Sequence, residues 1–142
     1  NEINELLETE YSFSNEDFIK ASKHLINEYP TIEKVFDKIR TSINASWHKM
    51  RARMWNGIEF KETQELDITH IVDRIGTGDA FAAGVIHGLQ NFDDYKAMEF
   101  GNAACAIKHT YAGDVNYANE QDVIGDDLQV FNKVEFVDSF FK

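Results

Sequence analysis

The residues best suited to chemistry are a short run, Gly76-Thr77-Gly78-Asp79, between a predicted strand and an apolar helical stretch. A helix that begins here exposes unpaired backbone N–H groups and the positive end of its dipole. Glycines at positions 76 and 78 leave those donors open to a ligand, because they carry no side chain. The arrangement is typical of a phosphate-binding site.

Asp79 adds a feature that a simple anion site does not need. The helix dipole favours the charged form of a carboxylate in the first helical turn. Beside an anion hole, such a carboxylate can accept the proton of an attacking hydroxyl while the hole stabilises a transferring phosphoryl group. The pattern therefore predicts phosphoryl transfer to an alcohol. On these residues alone the alternative stays open, in which Thr77 or Asp79 only caps a helix after a glycine turn.

Other ligand motifs fit the sequence less well. The chain has no Gly-x4-Gly-Lys-Ser/Thr run of the P-loop type, and Phe81 stands where a dinucleotide fingerprint needs its third glycine. The histidines His70, His87 and His109 are scattered and show no metal-ligand spacing.

The charge of the chain limits its partners. The 142 residues include 14 basic and 25 acidic ones, which gives a net charge of −11. We expect no nucleic-acid or membrane partner, because this surface repels polyanions and no basic stripe offsets it. No apolar run is typical of a membrane span or a signal peptide. The single cysteine, Cys105, lies in an apolar stretch, which predicts a core residue and fits a cytoplasmic protein.

The chain mixes predicted strands with well-formed helices, which predicts an α/β class. Ser14 caps a helix that ends at Pro30 and turns Phe18, Ala21 and Leu25 inward. Asn56-Gly57 is a strong hairpin turn. The predicted strands are 34–40, with Val35 and Ile39 inward, then 46–55 and 58–62 around the hairpin turn, and 66–72.

Helices follow the glycine run. Residues 80–86 are apolar nearly all round, which predicts a helix buried on most sides. Residues 91–94 break it and cap a helix over 94–110, and Gly113 ends this part. A short acidic helix is expected over 119–127, followed by a poorly patterned tail over 128–142. The buried face of the helix over 94–110 is predicted to hold Met98, Ala104 and Ile107.

The segment from Asp73 to Phe81 resembles the second signature of the PfkB sugar kinases, usually Asp-Thr-x-Gly-Ala-Gly-Asp-x-Phe, with Arg74 and Thr77 as departures. With Arg74, this segment is more similar to the 2-keto-3-deoxygluconate kinase branch than to ribokinase. Blocks over 40–46 and 101–116 resemble the same branch. The resemblance covers residues 1 to about 118.

The resemblance implies roles for particular residues. Gly76, Thr77 and Gly78 would form the anion hole for the ATP phosphates, and Asp79 would be the catalytic base at the substrate. Three further residues receive a binding role from the resemblance, although each could have a purely structural role. Asn102 could bridge helices, Arg40 could be a solvated strand end, and Asp114 could form part of a turn with Gly113. By resemblance, the nucleotide-binding residues are Asn102 on the adenine side and Arg40 and Ser42 in a loop near the phosphates, and Asp114 contacts the sugar acid.

The family also has an Asn-x-x-Glu motif that helps to organise magnesium and phosphate. Asn1 stands where the motif begins, but Asn4 stands where the acidic residue is expected. This departure predicts an indirect and weakened metal contribution from Asn1 and Asn4. The end of the chain, 131–142, also departs from the branch.

As a whole, the resemblance implies a ribokinase-like α/β fold. Residues 1–142 would be a single C-terminal nucleotide-binding portion of a three-layer αβα sandwich with a mostly parallel sheet, without the N-terminal sugar-binding half and lid. The expected function is phosphorylation of a sugar acid, 2-keto-3-deoxygluconate to its 6-phosphate, with ATP and Mg²⁺, in a full-length homo-oligomer. The isolated chain is expected to be inactive. The alternatives are a non-catalytic nucleotide-binding fragment or a kinase for ribose or fructose.

Overall fold

A computed structural model describes residues 2–125, which form five helices and four strands. The chain divides into two compact units. One holds the residues up to Asp37 together with Met54–Lys61, and the other holds Lys38–Arg53 and the residues from Glu62 onward. In chain order the elements are α1 (Glu2–Leu7), α2 (Asn15–Glu28), β1 (Val35–Asn44), β2 (Trp47–Trp55), β3 (Phe60–Glu62), β4 (Leu66–Ile68), α3 (Thr77–Asn91), α4 (Asp94–Lys108) and α5 (Glu120–Ile124).

The first unit is built around α2, which begins as predicted. The hydroxyl of Ser14 accepts a hydrogen bond of 3.1 Å from the amide of Asp17, and this satisfies one of the open donors of the first turn. Phe18 and Leu25 on the inner face pack against Val35 in the core of this unit. The inward positions of Phe18, Ala21, Leu25 and Val35 are thus confirmed.

Strand β1 is longer than predicted. It continues to Asn44, so Arg40 and Ser42 lie within the strand and not in a loop after it. The β-branched residues Thr41 and Ile43 favour the extended backbone. The turn comes only after Asn44, whose side-chain oxygen accepts a hydrogen bond of 2.9 Å from the amide of Ser46.

The strands follow the order β1-β2-β3, and β4 also pairs with β2. The predicted hairpin turn is present: the side-chain oxygen of Asn56 accepts hydrogen bonds from the amides of Ile58 and Glu59 at 3.0 and 2.9 Å. Strand β3 begins at Phe60, two residues later than predicted. The β2–β4 pair is antiparallel, with His48 opposite Ile68. A mostly parallel sheet stays a prediction of the resemblance.

Strand β4 is shorter than predicted, since it ends at Ile68 and not at residue 72. The backbone beyond it finds another partner. The amides of Val72 and Asp73 donate to the carbonyl of His109, at 2.8 and 3.2 Å, where α4 has just ended. The approach to the glycine run is therefore held by the end of α4 and not by a neighbouring strand.

Helix α3 buries one face against α4. Its inner stripe includes Gly84 and Gly88, where an added Cβ would come within 2.8 Å of Gly101 Cα and 2.5 Å of Ala97 Cα, respectively. The two helices therefore pack at near-backbone distance. The prediction that α3 is buried on most sides is wrong, because Ile86 on the outer face is 60 % exposed. The close contact with α4 covers only the glycine side.

Helices α4 and α5 follow the prediction within a few residues. Asp93 caps α4 by accepting a hydrogen bond of 2.8 Å from the amide of Lys96. Helix α5 has a capping box between Asn119 and Asp122 and ends at Ile124, with Gly125 as its C-cap. The predictions for 126–142 lie outside the described residues. Residues Met98, Ala104, Cys105 and Ile107 of α4 are buried as expected.

Among residues 2–125, no helix has the length and apolar character needed to cross a bilayer.

Candidate functional site

The glycine run forms the start of α3. Gly76 immediately precedes the helix with φ 76° and ψ 3°, in the left-handed region that favours glycine. The hydroxyl of Thr77 donates to the carbonyl of Arg74 at 3.0 Å, so it ties down the preceding loop and does not cap the helix. Within the described chain, the amides of Gly78 and Asp79 make no hydrogen bond. These amides are the donors that an anion would meet.

Asp79 lies at the edge of a cavity of about 410 Å³ in the second unit. One wall is the outer stripe of α3 that carries Asp79, Ala83 and His87. Phe100 of α4 and side chains of the segment from Asp114 to Val123 also line the cavity. The cavity lining therefore combines the carboxylates of Asp79, Asp114 and Glu120 with aromatic and small side chains.

Asp114 belongs to this site. It lines the same cavity as Asp79, and its side chain is exposed. Its backbone lies directly on the glycine run, because a Cβ added to Gly76 would come within 2.5 Å of the Asp114 carbonyl oxygen. The structure therefore brings together three of the predicted site residues: Gly76, Asp79 and Asp114.

Asp73 fixes the loops on both sides of this contact. Its carboxylate accepts hydrogen bonds from the amides of Arg74 (2.7 Å), Ile75 (3.1 Å) and Gly113 (2.9 Å). The amide of Ile75, and after it that of Gly113, hold the pKa of Asp73 below its usual value. Asp73 was recognised from the sequence only as part of a motif, and its bond to the distant Gly113 had no local signal.

Lys108 is a second support that the sequence did not reveal. This side chain is fully buried, and its ammonium group donates to the carbonyls of Gly113 at 2.6 Å and Tyr111 at 3.3 Å. A buried lysine normally needs such partners, because an unpaired buried charge is costly. Lys108 and Asp73 therefore hold the loop over 111–113 from two sides. A lysine inside an apolar helical run was the one sequence feature that could have indicated this.

Asn102 does not line the cavity. It is 1 % exposed, and its amide donates to the hydroxyl of Thr63 at 3.3 Å. That hydroxyl also accepts a hydrogen bond of 3.0 Å from the amide of Ala52, so Asn102 ties α4 to the sheet. The structure therefore places Asn102 apart from Asp79 and Asp114, and its nucleotide-binding role stays a prediction.

Arg40 and Ser42 are exposed on β1 and do not line the cavity either. Arg40 and Arg74 both act on the buried imidazole of His48, whose pKa is lowered first by burial and then by these two positive charges. Neither arginine forms an ion pair with a residue in the described part of the chain. Arg40 and Arg74 therefore both place a positive charge near His48.

Two buried histidines, His48 on β2 and His109 at the end of α4, contact each other. His48 and His109 meet edge to face with ring centroids 6.2 Å apart. Burial lowers the pKa of His109 to about 4, so its ring is neutral at neutral pH. Its Nδ1 donates to the carbonyl of Cys105 at 2.8 Å. Among residues 2–125, no group of three or more His, Cys, Asp or Glu side chains is placed to hold a metal ion.

Asn4 lies in the first unit, on α1. Its side-chain nitrogen donates to the carbonyl of Tyr11 at 2.9 Å, and its oxygen accepts from the amide of Tyr11 at 2.9 Å and the hydroxyl of Thr9 at 3.1 Å. The amide of Asn4 thus holds the loop after α1. Asn1 lies outside the described residues, and the indirect metal role of Asn1 and Asn4 stays a prediction.

Solved structures with a similar fold show the family of the chain. A PfkB family carbohydrate kinase from Listeria grayi matches with a TM-score of 0.69 and 34 % identity, over 79 % of this chain and 34 % of that one. The chain belongs to the PfkB carbohydrate kinases. A 2-dehydro-3-deoxygluconokinase from Thermotoga maritima matches this PfkB chain with a TM-score of 0.76 and 29 % identity, over 85 % of this chain and 37 % of that one.

Two further solved structures show the fold alone. Proteins from Enterococcus faecalis and Clostridium perfringens match the PfkB chain at 22 and 20 % identity, with TM-scores of 0.73 and 0.62. The chain spans about a third of the length of the structures it matches, from 34 to 38 %. Searches against models of protein families and against curated proteins found no match.

Proposed function

We propose that this PfkB chain is the C-terminal, nucleotide-binding portion of a kinase that transfers the γ-phosphoryl group of ATP to a hydroxyl of a sugar acid. One observation carries the proposal. The amides of Gly78 and Asp79 are open at the start of α3, and the carboxylate of Asp79 lies beside them at a cavity that Asp114 also lines. Phosphoryl transfer needs this combination of an anion hole and an adjacent proton acceptor.

In this mechanism, the hydroxyl oxygen of the sugar forms a bond to the γ-phosphorus while the bond from phosphorus to the β-phosphate oxygen breaks. Asp79 accepts the hydroxyl proton and later releases it to water. The amides at the glycine run hold the negative charge on the phosphoryl oxygens. An ordinary carboxylate is a weak base, but the proton leaves late in a loose transition state, so positioning accounts for most of the rate.

Mg²⁺ is proposed to enter with ATP. Magnesium in kinases is typically bound by one or two carboxylates together with the substrate phosphates, where it neutralises phosphate charge. Asp79 is needed as the proton acceptor, so Asp114 is the carboxylate beside the glycine run that fits this donor chemistry. Asn1 and Asn4 are proposed to act only indirectly, because the amide of Asn4 is already engaged with Thr9 and Tyr11.

The proposed substrate is 2-keto-3-deoxygluconate. Two observations support it: Arg74 in the signature segment, and the likeness to the 2-dehydro-3-deoxygluconokinase of Thermotoga maritima. Asp114 would contact the sugar acid. Thr77 would support the anion hole only indirectly, because its amide and its hydroxyl both donate to the carbonyl of Arg74, at 3.3 and 3.0 Å. Arg40, Ser42 and Asn102 do not line the cavity, so Arg40 and Ser42 are proposed to support the phosphates, and Asn102 the adenine side, indirectly. The complete protein is proposed to be a cytoplasmic homo-oligomer with the αβα sandwich and mostly parallel sheet of its family.

The test is a kinase assay on the full-length protein. ADP release would be measured with ATP and Mg²⁺, first without sugar and then with 2-keto-3-deoxygluconate, ribose or fructose at matched concentrations. The proposal predicts release that depends on the sugar acid and a 6-phosphate product. Preferential use of ribose or fructose would reject 2-keto-3-deoxygluconate as the substrate but would still support the assignment as a sugar kinase. No transfer to any sugar would reject the kinase assignment.

A second candidate is a protein that binds ATP without transfer. The observation that favours it is Asn4, which stands in place of an acidic residue and whose amide is bound within its own segment. Calorimetric titration of the chain with ATP and Mg²⁺ addresses binding, and the assay above addresses transfer. ATP binding by a full-length protein that releases no ADP would support this candidate.

A further inference from the structure

His87 lies on the same stripe of α3 as the proposed catalytic base. Asp79, Ala83 and His87 are spaced by four residues, so they project from one face of the helix. All three line the cavity. At a rise of 1.5 Å per residue, His87 stands about 12 Å along the helix axis from Asp79. His87 therefore marks the end of the cavity that is remote from the reacting phosphoryl group.

Two contacts fix the ring of His87. Its Nε2 lies 2.6 Å from a carboxylate oxygen of Glu120, the first residue of α5. The ring also packs on Phe100 of α4, with centroids 5.1 Å apart and planes inclined by 38°. His87 thus connects α3 to both α4 and α5 at the cavity wall.

Helix α5 depends on such contacts. It has only five residues, and a helix of this length is not stable by itself in water. Its capping box supports its own first turn, and the buried Val123 anchors its inner side. The bond between Glu120 and His87 is the polar contact that ties its first residue to α3. Asn119, Glu120 and Val123 form the part of the wall that α5 contributes.

We infer that His87 and Glu120 are positioning residues that hold α5 as a wall of the nucleotide site and so set the affinity for ATP. This inference rests on the proposed function. Neither residue takes part in the transfer, because both stand at the end of the cavity remote from Asp79. Both side chains are partly exposed, at 40 and 47 %, so the contribution of the pair is modest.

The test measures ATP and ADP binding by calorimetry, with Mg²⁺, for the 142-residue chain and its His87→Ala, Glu120→Ala and doubly substituted variants. We expect each single variant to raise the Kd for ATP by roughly two- to fivefold, the range of a partly exposed polar contact. The double variant should bind no more weakly than the worse single variant, because the two residues act as one contact. In the full-length enzyme, KM for ATP should rise by the same factor while kcat stays unchanged.

Two controls separate positioning from a general loss of structure. Glu120→Gln retains a hydrogen-bonding side chain and should restore most of the affinity that Glu120→Ala loses. His70→Ala removes an exposed histidine outside the cavity, whose ring bonds to the hydroxyl of Thr69, and should leave the Kd unchanged. A lowered melting temperature with unchanged ATP affinity in the His87 and Glu120 variants would reject the inference.

The outcomes also separate this inference from the proposed function. Tight ATP binding by the wild type with equal binding by all variants would overturn the role of the pair and leave the nucleotide site in place. An absence of ATP and ADP binding by the wild type, in the chain and in the full-length protein, would overturn both. Additive losses in the double variant would show that the two residues do not act as one contact, which contradicts the inference.

Discussion

The carboxylate of Asp73 accepts a hydrogen bond of 2.9 Å from the amide of Gly113, forty residues further along the chain. This bond joins the loop before α3 to the loop after α4. The backbone of Asp114 then lies against Gly76, and both Asp79 and Asp114 face the cavity. The relative position of the two carboxylates of the proposed active site therefore depends on a residue that does not line the cavity.

Replacement of Asp73 tests this dependence. The pKa of Asp73 is below its usual value of 3.8, since backbone amides bind its charged form. Its contribution to stability is therefore present above pH 3.8 and is lost as the pH falls through the lower folded-state value. We expect Asp73→Ala to lower the melting temperature at pH 7, and the difference from the wild type to shrink below pH 3.8. Thermal unfolding followed by circular dichroism over pH 2.5–7 measures this.

The matched control for Asp73 is Asp67→Ala. Asp67 is a partly exposed carboxylate that bonds to the indole nitrogen of Trp47 and not to a loop of the site. The Asp67→Ala variant should keep nearly unchanged sugar-dependent ADP release, whereas Asp73→Ala should reduce it. An Asp73→Ala protein with wild-type activity would show that the loop bond does not position the site.

Alanine substitutions at Gly76 and Gly78 make a matched pair of variants, because the two glycines lie in one run but differ in backbone conformation and surroundings. An alanine at position 76 would carry the left-handed φ of 76° and place its Cβ within 2.5 Å of the Asp114 carbonyl oxygen. The backbone strain alone costs about 1–3 kcal/mol. An alanine at position 78 would meet no atom within 4 Å and lies inside α3. Alanine is favoured over glycine there by roughly 0.5–1 kcal/mol.

We therefore expect urea unfolding to show a large loss of stability for Gly76→Ala and none for Gly78→Ala. Gly78→Ala should still weaken ATP binding, because its methyl group occupies space beside the open amides. Equal stability of the two variants would contradict the conformation described for Gly76.

His109 predicts a pH dependence of stability. Burial lowers its pKa from 6.5 to about 4. The folded state therefore binds fewer protons than the unfolded state between these values, and stability falls as the pH drops from 6.5 to 4. Over this whole pH range, the loss of folding stability from His109 is roughly 3 kcal/mol. Urea unfolding at pH 7, 5.5 and 4 should show a smaller decline for His109→Gln than for the wild type, while His70→Gln should follow the wild type.

Local sequence patterns predicted the helices better than the ends of the strands. Ser14, Asp93 and Asn119 cap their helices through bonds that span only three residues, so the signal lies within the segment. The end of β4 is different, because residues 69–72 are rich in β-branched side chains but the amide of Val72 donates to the carbonyl of His109. That partner lies far along the chain, and tertiary contacts override local propensity.

The parts of the candidate site that depend on local sequence could be predicted, and the parts that depend on distant contacts could not. The conformation of Gly76 and the position of Asp79 follow from a glycine run before a helix. The roles of Asp73 and Lys108 depend on contacts with the loop around Gly113, which no spacing rule indicates. For Asn102 the sequence indicated a binding residue, but in the structure its side chain donates to Thr63 and does not line the cavity.

The most direct measurement compares Asp79→Asn with the wild type in the full-length protein. ATP affinity would be measured by calorimetry, and sugar-dependent ADP release by a coupled assay. We expect Asp79→Asn to bind ATP with Mg²⁺ within a few-fold of the wild type but to lose about 10²–10⁴-fold in kcat, the usual contribution of a general base. A variant that keeps near-normal turnover with 2-keto-3-deoxygluconate would contradict the assignment of Asp79 as the catalytic base.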